Sequence, residues 1–487
     1  MAIETAATAR RRRIGVHAEH EHYKWWALSC TSLGMLLATI NSGTLIIALP
    51  DLERALGTSI LSLVWVILAY MISSTVLVLF AGRLSDLFGR KQAYVAGFVL
   101  FALASLGAGF AGGGTELIVW RVLQGIGGAF LFANSAALVT DAFPKEQLGL
   151  AMGTNTMVAA VGLVIGPVLG GALVAISWHW VFWFNVPFAL LGSLWAALIL
   201  RELAKPDKVR GYDVPGVVVF VLGLTGLVFG LSRGGLNGWS DPMTIGGIVA
   251  GVVLLPIFVL IERHHRAPML DLTIFQNRLF AAATGAAFIN GLSRFALMFL
   301  FVFYFQGVKG QDPITAGIEL APMAIGMLIA SPLAGVWADK RGSRMLSAAG
   351  MVVSAIALAG MTMLGVHTAY FWSALWLFVV GVGSGMFNSP NTAAMMGTVP
   401  TYRRGIAAGA RTVLQNTGAV ISIAFVLAVV TSSVPKDTLF KIFSGVTTGL
   451  SDATLEPFVA NMHTALWVLA LTSLVGGGIC LMRPKGD

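Results

Sequence analysis

Fourteen apolar segments follow one another along this chain, separated mostly by short polar stretches. A helix needs about 20 predominantly apolar residues to cross a bilayer, and its backbone polar groups must then be satisfied within the helix itself. The sequence therefore predicts an all-α membrane protein with fourteen transmembrane helices. The predicted segments lie near 26–49, 61–81, 93–112, 116–139, 148–173, 180–200, 214–232, 243–261, 280–304, 314–335, 345–365, 370–394, 405–431 and 462–482.

Charged residues are too few to cover a water-facing surface. They make up 11% of the chain, and 57% of it is hydrophobic, whereas soluble proteins carry about 25% charged residues. The net charge of +9 does not indicate a nucleic-acid partner, because the basic residues lie in short loops between apolar segments. Cys30 and Cys480 lie far apart and predict neither a disulfide framework nor a metal site. We expect membrane lipids as neighbours, and no nucleic acid, metal or cofactor.

Basic residues are distributed unevenly between the two sides of the predicted membrane. Of the 31 Lys and Arg residues, 23 fall on the side of the N-terminus and 5 on the other side. Cytoplasmic loops carry such an excess of basic residues. We therefore expect a multi-pass protein of the cell membrane with both termini in the cytoplasm, residues 1–24 forming a basic tail. The other three basic residues, Arg121, Arg294 and Arg411, fall within predicted helices.

A charged, glycine-punctuated loop occurs twice in the chain. Gly82–Lys91 reads GRLSDLFGRK and Gly335–Arg344 reads GVWADKRGSR, with the glycines, the aspartate and a final base recurring at a separation of 253 residues. Such internal repeats are typical of transporters built from two related halves.

A second repeat supports the same division of the chain. Four small residues between positions 149 and 162 recur 256 positions later, in the predicted thirteenth helix. We predict two pseudo-symmetric six-helix bundles, an N-terminal one over 25–200 and a C-terminal one over 280–487. The linker 201–279 would carry an inserted pair of transmembrane helices.

Three further motifs narrow the family. Arg121–Gly128 reads RVLQGIGG, Gly162–Gly171 reads GLVIGPVLGG, and Trp178–Pro187 reads WHWVFWFNVP. With the loop Gly82–Lys91, they make the chain from Trp25 onward resemble the major facilitator superfamily, and within it the fourteen-helix drug:proton antiporters of multidrug efflux. In that family, the motif of the fifth helix is associated with export rather than uptake.

The repeated loops are predicted to act as a gate, or latch. A carboxylate at position 86 beside Arg83, Arg90 and Lys91 can form charge-assisted hydrogen bonds and can also favour a nearby helix N-terminus. Asp339 with Lys340 and Arg344 would be its counterpart in the second half. The alternative is a plain loop that only sets topology. The predicted latch residues are Gly82, Arg83, Asp86, Gly89, Arg90, Lys91, Asp339 and Arg344.

The fifth predicted helix is expected to have a mechanical role. Small residues allow close contact between helix backbones, and a proline inside a helix kinks it. The helix would then seal the centre and set how the halves rock, whereas the alternative is ordinary helix packing. The residues of this antiporter helix are Gly162, Gly166, Pro167, Gly170 and Gly171.

One departure from the family pattern affects the expected proton coupling. Family members commonly carry an Asp in the first helix before an Ala-Leu-Pro sequence, but here Asn41 stands at that place, and Asn cannot take up a proton near neutral pH. Arg121 is a further candidate, because a charge inside the membrane is costly unless it is paired or functional; the alternative is a structural hydrogen bond to helix carbonyls. Glu319 is the clearest remaining acid, although a water-exposed helix end explains it equally well.

Polar and aromatic residues within the helices could line a central substrate cavity. An ordinary hydrogen bond between helices is the alternative for each Asn. The candidates are Trp65, Phe130, Asn155, Asn290, Arg294, Asn388, Arg411 and Gln415.

The predicted function is secondary active export of amphipathic, lipophilic small molecules by alternating access, driven by proton antiport. An alternative with the same fold is a lipid or lipophilic-metabolite exporter with weak or no proton coupling. An enzyme is not expected, because the chain lacks a clustered catalytic set and a Gly-x-x-x-x-Gly-Lys-Ser/Thr nucleotide loop. The expected partners are a small lipophilic substrate, protons and lipids, and the protein is expected to be a monomer.

Overall fold

The structure, a computed structural model, describes residues 22–58, 60–203, 213–265, 268, 270, 272–431 and 452–484. Over these ranges the chain is helical and contains no strand. The longer helices there are α1 (Tyr23–Leu56), α2 (Ile60–Phe88), α3 (Arg90–Ala108), α4 (Gly114–Ala142), α5 (Leu148–Ile176), α6 (Asn185–Ile199), α7 (Val214–Asn237), α8 (Pro242–His264), α9 (Arg278–Phe303), α10 (Ala321–Arg341), α11 (Arg344–Met361), α12 (Tyr370–Gly397), α13 (Arg404–Thr431) and α14 (Asp452–Leu481).

Eleven helices among the described residues are long and apolar enough to cross a membrane. They comprise α2–α4, α6–α12 and α14, some with flanking turns. The protein is therefore a multi-pass membrane protein. Helices α1, α5 and α13 coincide with the remaining predicted segments, near 26–49, 148–173 and 405–431.

Several predicted helix boundaries were wrong. The last helix begins at Asp452, ten residues before the predicted segment. The predicted segment 314–335 consists of two helices, Pro313–Glu319 and α10. The second restarts with Pro322 in its first turn, where the missing N–H of proline costs no hydrogen bond.

The two sets of six helices repeat one packing pattern. In the first set, α1 packs on α5, α2 on α4, and α3 on both α4 and α6. In the second set, α9 packs on α13, α10 on α12, and α11 on both α12 and α14. Each pair recurs eight helices later, which is the arrangement that a duplicated unit with a two-helix insertion produces.

The two sets meet where backbones approach closely at paired glycines. Helix α5 packs on α10, and α2 packs on α13. A Cβ at Gly149 would collide with the Gly335 carbonyl oxygen, and one at Gly82 with the Gly405 carbonyl oxygen. These contacts lie at the end of the bundle that carries the repeated loops, called the charged end below (residues 82–91 and 335–344).

The inserted pair α7–α8 packs against both sets. Its two helices contact each other through glycines such as Gly230 and Gly247. Phe220 and Leu224 of α7 share an apolar cluster with Val78 of α2 and Val413 of α13. The inserted pair therefore covers the α2–α13 seam.

Candidate functional site

Asp86 links the two sets at the charged end. It lies in the last turn of α2 and is 4% exposed. Its carboxylate accepts backbone N–H bonds from Gly405 at 3.2 Å and Ile406 at 3.0 Å, in the first turn of α13. The N-terminus of a helix has unsatisfied N–H groups and a partial positive charge, so a carboxylate there is stabilising. Asp86 thus contacts a helix N-terminus, which the sequence analysis had allowed for, and that helix belongs to the other set.

A charged chain extends this contact. Arg90 donates to Asp86 through Nε at 3.1 Å and Nη2 at 2.8 Å, and it also bonds Asp141 and the Thr401 carbonyl oxygen. Asp141 in turn accepts from Arg404 at 2.8 Å. Arg90 is 1% exposed, so its bonds form in a low-dielectric environment where charge-assisted hydrogen bonds are strong.

Asp339 makes the equivalent contact in the reverse sense. It lies near the C-terminal end of α10 and accepts from the backbone N–H groups of Gly149 at 2.8 Å and Leu150 at 3.0 Å, in the first turn of α5. Ser389 of α12 adds a bond to the Gly149 carbonyl oxygen at 2.9 Å. Each set therefore caps a helix of the other with an aspartate.

The other predicted latch residues do not all join these contacts. Among the described residues, Asp339 is held by backbone N–H groups rather than by Lys340 and Arg344, and Arg344 donates to the Leu481 carbonyl oxygen. That prediction was wrong because it considered only neighbours in sequence. Lys91 binds the Ala197 carbonyl oxygen at 2.7 Å, away from Asp86.

The remaining latch positions, Arg83, Gly82 and Gly89, lie in the same turn region. Arg83 is buried. Gly82 contacts α13 directly, as described above. Gly89 has φ of 106°, a conformation that glycine adopts without strain, and this allows the chain to turn between α2 and α3.

The antiporter helix α5 packs on α1 through glycines spaced four residues apart. A Cβ at Gly162 would collide with Thr39, one at Gly166 would lie 3.1 Å from the Cα of Gly43, and one at Gly170 would lie 2.7 Å from the Thr44 carbonyl oxygen. Small residues at this spacing permit backbone contact between helices. Pro167 and Gly171 lie on the same helix.

Arg121 of α4 lies in a buried polar cluster within the first set. Its Nε donates to the Val66 carbonyl oxygen at 3.1 Å, and its Nη1 donates to Asn41 Oδ1 at 3.3 Å and to Gln124. Its guanidinium lies 4.5 Å from the centre of the Tyr70 ring. Asn41, at the place of the family's usual Asp, thus accepts a bond from the embedded arginine.

A second polar cluster lies within the second set. Asn388 of α12 accepts from Arg411 Nη2 at 3.3 Å and from Gln415 Nε2 at 3.5 Å, and it donates to Asn290 of α9 at 3.4 Å. Arg294 of α9 donates to the Met327 sulfur at 3.8 Å, and its charge acts on that of Arg411. Five of the predicted cavity residues therefore lie together: Asn290, Arg294, Asn388, Arg411 and Gln415.

The other three predicted cavity residues lie elsewhere. Trp65 stacks on Phe229 of the inserted helix α7, with ring centroids 4.9 Å apart. Phe130 has its Cβ against α3 at Gly97. Asn155 donates to Ser135 at 2.9 Å, which is an ordinary bond between α5 and α4.

Glu319 ends the short helix Pro313–Glu319, which lies at the end of the bundle opposite the charged end. Its carbonyl oxygen accepts from the Tyr370 hydroxyl at 3.2 Å, and Lys309 acts electrostatically on its carboxylate. It is remote in the fold from Arg121 and from the second cluster, which lie within the two sets.

Several contact residues between the sets were missed from the sequence. Arg404 and Thr401 precede or open α13, and Asn416 donates to Thr75 of α2 at 2.9 Å. Arg404 and Asp141 could have been found as opposite charges at helix ends on the side of the repeated loops. Nothing in the sequence pairs Asn416 with Thr75, because they are 341 positions apart.

A family profile described as Major Facilitator Superfamily matches residues 31–423. The chain belongs to the major facilitator superfamily. The superfamily transporters are not enzymes, in agreement with the prediction, and the match extends from α1 through the inserted pair into α13.

Relatives with named cargoes differ from one another. The chain is 28% identical over 386 residues to the Tetracenomycin C resistance and export protein of Streptomyces glaucescens, covering 79% of this chain and 72% of that protein. It is 25% identical over 454 residues to the Riboflavin transporter RibZ of Clostridioides difficile, covering 93% and 96%. Others bear the name multidrug resistance protein.

A solved structure shows the same superfamily fold. The human organic anion transporter MFSD10 has a TM-score of 0.63, covering 94% of this chain and 99% of that chain. At 14% sequence identity this likeness concerns the fold alone.

Proposed function

We propose that the protein is a secondary active exporter of amphipathic, lipophilic small molecules that works by alternating access and is driven by proton antiport. The observation that carries the proposal is the reciprocal capping at the charged end, where Asp86 holds α13 and Asp339 holds α5. Such contacts form when that end is closed and must break when the halves separate there. A packed interface with two discrete arrangements is what a rocking mechanism requires.

The membrane arrangement forms part of the proposal. We propose fourteen transmembrane helices, with the inserted pair α7–α8 between two six-helix halves, and both termini in the cytoplasm. The excess of basic residues on the N-terminal side supports this orientation, and it makes the charged end cytoplasmic. The proposed partners are substrate, protons and lipids, with the protein acting as a monomer in the cell membrane.

Proton coupling needs a group that titrates, and Asn41 does not. Glu319 is the proposed carrier, since its Oε2 atom is buried without a hydrogen-bond partner among the described residues and a carboxyl group can bind and release a proton. Arg121 would respond to substrate through its cluster rather than carry the proton itself.

The test is accumulation of lipophilic dyes of different charge in cells that lack their own exporters. Nile red, ethidium and 1-pyrenebutyrate cover neutral, cationic and anionic cargo. Expressing cells should accumulate less of at least one dye, and an uncoupler should abolish the difference. Equal accumulation of all three with and without expression would contradict drug export. If Glu319→Gln leaves uncoupler-sensitive efflux intact, Glu319 is not the carrier.

A second candidate function is export of a lipid or lipophilic metabolite with weak or no proton coupling. The observation that favours it is Asn41, which occupies the place of the family's acid and is fully buried beside Arg121. Transport into proteoliposomes that does not change with a pH gradient would support this candidate over proton antiport.

A further inference from the structure

The two embedded arginine clusters differ in how completely their charges are satisfied. In the first set, Arg121 is 1% exposed, and its donors meet a backbone carbonyl, Asn41 and Gln124. In the second set, Arg411 keeps partial exposure although it lies within a helix of the bundle. Its Nε is buried with no hydrogen-bond partner among the described residues. The unpartnered buried polar atoms of the first cluster belong to the uncharged side chains of Asn41 and Tyr70, whereas in the second cluster an unpartnered donor lies on the Arg411 guanidinium itself.

Two like charges also interact in the second cluster. The positive charge of Arg294 acts on that of Arg411, and no ion pair within the described part of the chain involves Arg411. In the sequence, Arg121, Arg294 and Arg411 occupy the interiors of predicted spans, while the acids lie at or beyond their ends. An arginine inside the membrane costs several kcal/mol unless it is compensated.

The chemistry of this cluster suits an anion with more than one oxygen. A guanidinium presents donors in a planar fork that matches a carboxylate bidentately. Asn388 accepts one bond from Arg411 and is itself bonded to Asn290 and Gln415, so amide groups that can hold further oxygens lie next to the guanidinium. An amide is uncharged, so this bond does not neutralise the charge of Arg411.

We infer that the transported molecule carries an anionic head group, such as a carboxylate, which Arg411 binds in the second half with Arg294 as the supporting charge. This inference rests on the proposed transport function and specifies its substrate class. The cargo itself supplies the negative charge that pairs with Arg411, which takes part in no ion pair among the described residues. The amphipathic cargo then has its charged end at this cluster and its apolar part among the surrounding helices.

The experiment measures binding, so it does not depend on transport. The purified full chain in phosphatidylcholine nanodiscs is titrated with 1-pyrenebutyrate and with its methyl ester, which differ only in the carboxylate charge. Arg411→Gln should weaken pyrenebutyrate binding by about tenfold or more, as expected for the loss of a charge-assisted bond. It should leave ester binding unchanged, and Arg411→Lys should lie between.

Arg233→Gln is the matched control, because Arg233 pairs with Asp241 at 2.7 Å on the inserted pair and should affect neither probe. Thermal unfolding of each variant checks the fold. The inference is overturned if wild type does not bind pyrenebutyrate, or if a folded Arg411→Gln loses both probes equally or neither. Competition by phosphatidylglycerol would identify a lipid head group as the anion, whereas indifference to it would identify a free small acid. Selective binding without any efflux would leave the inference standing while the export proposal failed.

Discussion

At the scale of single residues, two aspartates link the halves of this superfamily member. Asp86 and Asp339 each accept two backbone N–H bonds from the first turn of a helix in the other half. A buried carboxylate in this position gains from the helix dipole only while the halves touch. The contact is therefore an energetic bias toward the conformation that is closed at the charged end.

Asp86→Asn should weaken that closed conformation. The amide keeps the shape of the side chain but loses the charge that Arg90 and the α13 N-terminus stabilise. Labelling of a cysteine at Ser389, which lies buried between α12 and α5, should speed up several-fold, and dye efflux should fall about tenfold, since each tenfold shift in a two-state population needs only about 1.4 kcal/mol. Unchanged labelling and efflux would refute the latch.

Asp241→Asn provides a control with the same chemical change. Asp241 caps its own helix, α8, and the Arg233 guanidinium holds the pKa of its carboxyl at about 2. Because this pKa is depressed, the carboxylate contributes its full stabilisation above about pH 4, and that contribution is lost as the pH falls from there through about 2. The bonds of Asp241 go to Arg233 and Thr244 within the inserted pair and do not cross between the halves, so the control should change neither labelling nor efflux.

At the scale of helices, α5 packs closely on α1 because the contact positions on α5 are glycines, which have no side chain. Gly162, Gly166 and Gly170 recur every four residues along one face of α5 and contact backbone or short side chains of α1. The packing leaves no room for a methyl group at Gly170, whose ideal Cβ would lie 2.7 Å and 2.8 Å from Thr44 backbone atoms. These atoms cannot swing aside as a flexible side chain can.

Gly170→Ala should therefore force α1 away from α5. We expect a lower melting temperature of the purified protein and a loss of efflux of tenfold or more. Gly246→Ala in α8 makes the same change where no atom lies within 4 Å, and should be neutral or slightly stabilising, because Ala is favoured over Gly in a helix by up to about 1 kcal/mol. Equal behaviour of the two variants would show that close packing at Gly170 is unimportant.

At the scale of the whole molecule, the repeated pairing of helices defines two bodies that meet along α2–α13 and α5–α10. Side chains such as Thr75 and Asn416 cross this boundary, whereas pairs such as Ser135 and Asn155 stay inside one body. Rigid-body rocking changes distances of the first kind and preserves those of the second.

Cross-linking separates these two kinds of contact. In a background without Cys30 and Cys480, a short thiol cross-linker between cysteines at positions 75 and 416 should stop efflux, and a cleavable reagent should restore it on reduction. Positions 135 and 155 are joined by a hydrogen bond of the same 2.9 Å length, but within one body. A cross-link between cysteines at these two positions should leave efflux unchanged. Arrest by both cross-links, or by neither, would contradict the rocking of two rigid halves.

The sequence alone determined the membrane class, the helical fold, the repeat and the superfamily, because these depend on the length of apolar segments and on motifs that are local in the chain. It also singled out five polar residues of the second half that lie together in the structure, since polar residues within apolar segments are easy to recognise. Trp65, Phe130 and Asn155 were assigned to that cavity with the same reasoning, but they face other helices. A helix has several sides, and periodicity does not say which neighbour each side meets.

Only the tertiary structure decided the partners of the charged loops. Asp86 pairs with Arg90 as expected, whereas Asp339 is not held by the basic residues beside it, and the sequence did not show that the helix N-termini which the two aspartates reach lie about 190 to 320 positions away. The sequence also did not show that Arg121 donates to Asn41, or that Arg411 Nε has no hydrogen-bond partner among the described residues. Such hydrogen bonds depend on which helices pack together. Every residue except proline has a backbone N–H group. Nothing local in the sequence therefore marks which N–H groups a distant carboxylate will contact.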